Sequence, residues 1–165
     1  MLSLRTMIPP VTAHAADGRT VRAWDWKQKR SLAIAFLHAE CAVCETWLAQ
    51  ISAQASALDE AEAVALIVLP SNVSQNMSRY ARAEIIVAAD ISGRSQRAYL
   101  GEDAFGTAGL AQVGVFVSDR YGELRAQWIT GNAKHDLPDV KEVLGWLNQV
   151  LIACEECGAP HWPSE

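Results

Sequence analysis

The apolar positions along the chain fall into short blocks. Their spacing switches between that of buried strands and that of amphipathic helices. Residues 31–39 open with an unbroken run, Leu32-Ala33-Ile34-Ala35-Phe36-Leu37, and residues 63–69 form a second run closed by Pro70 and Asn72. Strands covered on both faces read this way. Between the two runs, Cys44, Trp47, Leu48, Ile51, Ala55 and Leu58 form a stripe that predicts a helix over 44–58. Further on, the pattern predicts a short helix at 74–83, a short strand at 84–88, a weaker helix at 91–100 and a glycine-bearing loop at 101–109. Residues 112–118 read as another strand, Asp119-Arg120-Tyr121-Gly122 as a turn and 123–129 as the antiparallel return. Near the N-terminus, Asp17-Gly18 is a turn signal between 11–13 and 20–22, which are expected to pair as a hairpin. The last helix is expected to be capped by Asp136 and to carry Pro138 in its first turn. Its stripe is Val140, Val143, Leu144, Leu147, Leu151 and Cys154, and Gly158 and Pro160 end it.

No internal repeat, low-complexity stretch or dividing linker interrupts this order. Residues 1–165 therefore read as one domain, with a loose N-terminal arm over 1–10 and a C-terminal tail over 154–165. A β–α–β unit followed by a β-hairpin and a helix predicts an α/β fold: a central mixed β-sheet with helices on both faces. The composition suits it, for 50% of the residues are apolar and 20% charged, enough to build a real core at this length. Lys and Arg number 14 against 19 Asp and Glu. With no basic run, nucleic acid is not an expected partner. The apolar runs are far shorter than the roughly 20 residues of a membrane span. Pro9 and Pro10 interrupt any signal-peptide core, so a cytoplasmic location is expected.

The cysteines add the chemistry. There are four, in two C-x-x-C pairs: Cys41-Ala42-Val43-Cys44 and Cys154-Glu155-Glu156-Cys157. That is too few for a disulfide scaffold and suggests redox chemistry or a metal. Cys41 sits between a buried strand and a helix N-terminus, where free N–H groups and the helix dipole favour a thiolate. Cys44 belongs to the apolar stripe and is expected to be more buried, with the higher pKa. An exposed attacking thiol and a buried resolving thiol are what two-step dithiol exchange requires. The plainer alternative is two small apolar residues capping a helix. His38 and Glu40 flank the pair and are candidates for proton transfer, although solvated loop residues are the favoured reading of both.

The segment from Phe36 to Cys44 resembles the strand-to-active-site segment of thioredoxin-like redoxins. The group is that of the alkyl hydroperoxide reductase/thiol-specific antioxidant (AhpC/TSA) proteins and related thiol–disulfide oxidoreductases. Phe116-Val117-Ser118-Asp119-Arg120-Tyr121-Gly122-Glu123-Leu124 resembles their F-x-I-D-x-x-G-x-I hairpin. Ala89-Asp90-Ile91-Ser92-Gly93 through Tyr99 resembles the segment these redoxins insert. The likeness spans roughly residues 8–150. It implies a thioredoxin-like fold and an antioxidant thiol–disulfide oxidoreductase that needs no organic cofactor. Its substrate would be a protein or small-molecule disulfide, its reductant a thioredoxin or glutathione system, and a homodimer stays open. The chain also departs from the pattern. Val113 stands where related proteins place a cis-proline facing the dithiol, and Ala35 where thioredoxins place a buried carboxylate. The peroxiredoxin motif P-x-x-x-T-x-x-C meets Ile34 and His38 if counted to Cys41, and Leu37 and Cys41 if counted to Cys44. The peroxidase arginine expected near Val113 is absent. Two alternatives follow: a non-catalytic redoxin-fold protein that binds a partner, or zinc through its C-x-x-C pairs, and a thiol peroxidase.

The second pair inverts the logic of the first. Cys154 and Cys157 fall at a helix C-terminus beside Glu155 and Glu156. Dipole and charge there disfavour a thiolate, so both thiols are expected to be poor nucleophiles. Cys154 also fits a packed core position. Unligated or locally oxidised thiols are the favoured reading of the pair; the alternatives for Cys154 to Gly158 are a zinc half-site, C-x-x-C-G, with His161 as a further donor, and then a redox relay. A helix of about 18 residues spans about 27 Å and starts at the dithiol end of such a fold, so the two pairs are expected to be well separated within one chain. Trp47, Trp128 and Trp146 read as packing residues. Trp24, Trp26 and Trp162 lie in loop-like surroundings, as partly buried residues or as a contact surface. No G-x-G-x-x-G, P-loop, G-x-S-x-G or H-E-x-x-H is present, so nucleotide, serine-hydrolase and zincin readings have no support.

Overall fold

The computed structural model describes residues 1–38, 40–105, 112–130 and 136–153. Seven strands form one sheet: β1 (Thr12–Ala15), β2 (Thr20–Arg22), β3 (Ser31–Phe36), β4 (Ala63–Leu69), β5 (Ile85–Ala89), β6 (Val113–Ser118) and β7 (Leu124–Thr130). Their order is β2-β1-β5-β4-β3-β6-β7. β3 runs parallel to β4, and β4 parallel to β5, while the other pairings are antiparallel. This is the mixed sheet that the order of elements predicts.

The two apolar runs are the middle of that sheet, and every residue of β3 and β4 is buried. Side chains alternate across a strand, so each run feeds two cores. Ala33, Ala35 and Leu37 of the first run, with Ala65, Ile67 and Leu69 of the second, face one layer. That layer holds α1 (Ala42–Ser52) and α5 (Val140–Ile152). Leu32, Ile34 and Phe36, with Val64, Leu66 and Val68, face the other. There α4 (Arg94–Leu100) brings in Tyr99 and Leu100, and Phe36, Tyr99 and Phe116 form an aromatic triangle with centroids 4.8–5.9 Å apart. Helices therefore cover both faces, in a thioredoxin-like α/β fold.

Several boundaries differ from the expectation. The helix expected at 44–58 is two: α1 already starts at Ala42, and α2 (Ala55–Glu60) follows a break at Ala53 and Gln54. Only Gln75–Ser78 is helical within 74–83, as α3. α4 starts at Arg94, because Gly93 takes a left-handed conformation (φ 66°) and Ile91 stays exposed. The loop at 101–109 opens with a 3-10 turn, Glu102–Phe105, and another such turn, Ala23–Trp26, follows β2. Asp139, not Asp136, caps α5, accepting from the Lys141 amide at 2.9 Å, so Pro138 precedes the helix. α5 stops at Ile152, short of the expected end at Gly158 and Pro160, and Val150 rather than Leu151 is buried in its last turn, while Cys154 lies outside the described residues.

Residues 1–10 are not a loose arm. The Arg5 amide donates to the Leu124 carbonyl (2.8 Å), the Leu124 amide to Thr6 (2.9 Å) and the Ile8 amide to Gly122 (2.9 Å). The Gln127 carboxamide reaches the Leu2 carbonyl at 2.6 Å and the Tyr99 hydroxyl the Pro9 carbonyl at 2.8 Å. The arm thus satisfies backbone groups at the start of the edge strand β7 that would otherwise face only water. Among the described residues, no helix is long and apolar enough to cross a membrane.

Candidate active site

β3 is the strand between β4 and β6, and the chain leaves its C-terminal end toward α1. Leu37 is still held there, its amide donating to the Val68 carbonyl at 3.1 Å. Cys41 then takes an extended conformation (φ −126°, ψ 113°) as the N-cap of α1. Its sulfur accepts the Cys44 amide at 3.2 Å, and its carbonyl accepts the Glu45 amide at 2.9 Å. Cysteine here does what serine or aspartate does at other N-caps. Charge developing on this sulfur would face the amide and the positive end of the helix.

The two thiols are free and their surroundings differ. Cys41 is partly exposed and Cys44 is fully buried, packed with Trp47 and Leu48 against the sheet. Burial, reinforced by a hydrogen bond to the Cys41 side chain, pushes the Cys44 thiol from 9.0 up to about 12; a backbone hydrogen bond with His38 opposes the rise. His38 is partly exposed and Glu40 exposed, at the mouth of the site.

The next residues of α1 anchor it. The Glu45 carboxylate meets the Arg79 guanidinium at 2.8 Å and accepts the Tyr80 hydroxyl at 3.1 Å. Ser52 donates to the Tyr80 carbonyl at 2.8 Å. Trp47 is buried and its indole N–H donates to the Pro138 carbonyl at 2.8 Å. Nothing in the sequence marked Glu45, Arg79 or Pro138 as neighbours of the dithiol. The Trp47 stripe position pointed only to packing.

The departures seen in the sequence have places here. Phe36 pairs with Gly114, so Val113 lies level with the end of β3, buried at the dithiol end of the sheet. Ala35 faces the layer that holds α1. The buried carboxylates among the described residues are Asp90, Asp119 and Glu123, none of them in that layer's core. Also among the described residues, no group of three or more His, Cys, Asp and Glu is placed to hold a metal ion. Cys154, Cys157, His161 and Trp162 lie outside the described residues. α5 begins at Val140, which lines a groove together with Ala42 and Val43 of α1, and extends for about 20 Å.

Comparison with known proteins agrees with this architecture. No curated protein sequence matches the chain. The fold resembles the mitochondrial 2-Cys peroxiredoxin of Plasmodium falciparum (TM-score 0.68, 15% identity, covering 90% of this chain and 94% of that one). It also resembles the peroxidoxin BcpB of Mycobacterium tuberculosis (0.71, 12%, 90% and 98%) and AhpC of the same organism (0.69, 17%, 96% and 97%). A model of the AhpC/TSA family matches residues 4–127, most of the sheet and the whole of the dithiol segment. The chain is a thioredoxin-like redoxin and belongs to the AhpC/TSA family.

Proposed function

We propose that the protein is a thiol–disulfide oxidoreductase in which Cys41 attacks and Cys44 resolves. Family membership supports a thiol-dependent redox activity. The observation that carries the finer reading is the asymmetry of the pair. Cys41 is reachable and capped onto the helix, while Cys44 is buried with its thiol up near 12. The Cys41 thiolate forms a bond to one sulfur of a disulfide and expels the other as a thiolate. Cys44 then gives up its proton to that thiolate or to solvent, bonds to the Cys41 sulfur and expels the second substrate thiolate. The substrate gains two electrons, and Cys41–Cys44 ends as a disulfide that a thioredoxin- or glutathione-type reductant reopens. No organic cofactor enters any step.

Glutathione redox buffers with differential alkylation of each cysteine test this. The expected result is a reversible Cys41–Cys44 disulfide of defined potential, Cys41 alkylating first in the reduced protein, and a mixed disulfide trapped on Cys41 in Cys44→Ser. Thiols that stay reduced throughout, or react no faster than free cysteine, would leave the fold with a binding role.

The AhpC/TSA match favours one second reading, reduction of a peroxide at Cys41. The thiolate would take the distal oxygen, release an alcohol or water and become a sulfenic acid. Cys44 would condense with it to the same disulfide and release water. Stopped-flow mixing with peroxide decides: oxidation of Cys41 no faster than that of a free thiol removes this reading.

A further inference from the structure

The outer side of α1 and the segment entering α5 flank an open groove of about 860 Å3. The dithiol chemistry above makes no use of it. One end is formed by Ala42 and Val43, the residues between the two cysteines, and the Val43 side chain is half exposed. Trp47, Leu137 and Pro138 make it apolar within. Along the α1 wall, Thr46 and Gln50 stand one turn apart and Gln54 follows just past the helix end. All three are exposed.

We propose that this groove seats an extended polypeptide and delivers its disulfide to Cys41, so that the substrate is a polypeptide disulfide with apolar residues beside its cysteine. The proposal rests on the disulfide-exchange reading. Its size is that of a ligand site rather than of one side chain. Thr46 and Gln50, one turn apart on the α1 wall, are about 6 Å apart along the helix axis. Alternate residues of an extended chain repeat at about 6.6–6.8 Å. A peptide lying along α1 therefore meets the Thr46 hydroxyl oxygen as an acceptor, its proton being given to the Ala42 carbonyl at 2.8 Å, and the Gln50 carboxamide one turn on, while its inward side chains meet the apolar interior.

Continuity and charge narrow the occupant further. The groove reaches Ala42, the residue that follows the partly exposed Cys41, so a chain lying in it ends beside the attacking cysteine. The described rim carries Asp136 and Asp139 against Lys141. Asp139 spends one oxygen on its cap, yet the carboxylates still outnumber the ammonium. Glutathione disulfide has more carboxylates than ammonium groups and is repelled. A neutral or basic peptide is not. In the exchange, one peptide sulfur bonds to Cys41 and the other leaves as a thiolate. Cys44 then frees the bound sulfur, so the peptide is reduced by two electrons and the protein pair oxidised.

The test uses a short neutral peptide with Leu and Val flanking its single cysteine, as the symmetric disulfide, and its serine counterpart. Glutathione disulfide is the comparison substrate. The serine peptide is expected to shift the amide resonances of Thr46, Gln50 and Lys141. Gln50→Trp, which fills the groove two turns from the cysteines, is expected to abolish those shifts. The same variant is expected to slow reduction of the peptide disulfide about tenfold and to leave glutathione disulfide unaffected. Absent or misplaced shifts, or a variant that slows both substrates alike, would overturn the groove. Binding of the serine peptide in the groove without reduction of either disulfide keeps the groove and overturns the exchange reading instead.

Discussion

The indole N–H of Trp47 donates to the carbonyl oxygen of Pro138 across 2.8 Å, joining residues 91 positions apart in the chain. Trp47 is one turn beyond Cys44 on α1, and Pro138 lies just before the cap of α5. The groove wall is thereby tied to the helix that carries the dithiol. Trp47→Phe keeps most of the apolar contact but leaves a buried carbonyl without its donor. A loss of about 1–3 kcal/mol is expected, read as a lower urea midpoint with an unchanged slope.

The burial of Cys44 has a pH signature. Its thiol titrates near 12 in the folded protein against 9.0 for the ordinary group. Below pH 9 the thiol is protonated in both states and its contribution to stability is complete. Between about 9 and 12 the unfolded chain loses this proton while the folded one keeps it, so stability falls by about 1.4 kcal/mol per pH unit from this group. In urea titrations of the reduced proteins, the gap between wild type and Cys44→Ala should narrow over that range. Parallel curves would contradict the burial of the thiol.

Gly114 sits in β6 on the face that packs against Leu100 and Phe116. A Cβ there would lie 2.8 Å from Leu100 Cδ2, 3.0 Å from the Trp128 carbonyl oxygen and 3.1 Å from Phe116 Cε2. Leu100 can shift, but the carbonyl belongs to the paired strand β7 and cannot easily move. Gly114→Ala is expected to cost about 1–3 kcal/mol, measured as a drop in thermal midpoint.

The β6–β7 turn depends on Asp119, whose Oδ1 accepts the amides of Tyr121 and Glu123, each at 2.9 Å. Its other oxygen lies 3.5 Å from Arg125, which also meets the buried Glu123 at 3.3 Å. Gly122 closes the turn at φ 86°. Asp119→Ala leaves these amides without their acceptor, at roughly 2–4 kcal/mol for the pair. Asp119→Asn keeps an acceptor oxygen and should recover most of that in the same denaturation assay. Equal losses in the two variants would show that the amide contacts are not what holds the turn.

What the chain alone determined is what depends on local spacing. The unbroken apolar runs read as strands buried on both faces, and they are β3 and β4. Asp119-Arg120-Tyr121-Gly122 could only turn. A cysteine placed after a buried strand and before a helical stripe falls at a helix N-terminus, and Cys41 does. Tertiary structure decided where contacts between distant segments outweigh local preference. The break at Ala53 and Gln54 lies among alanines and polar residues that signal nothing. Asp136 and Asp139 are equivalent caps by type, and the seating of the α5 entrance on Trp47 accompanies the choice of Asp139. Residues 1–10 carry no strand pattern, yet hydrogen bonds to the β6–β7 hairpin hold them. The groove beside the dithiol is formed by α1 and a segment some ninety residues later, so no window of sequence contains both of its walls. Local propensity sets the period of each element. The burial and hydrogen bonding that fix where it ends and what it faces exist only once the chain has closed on itself.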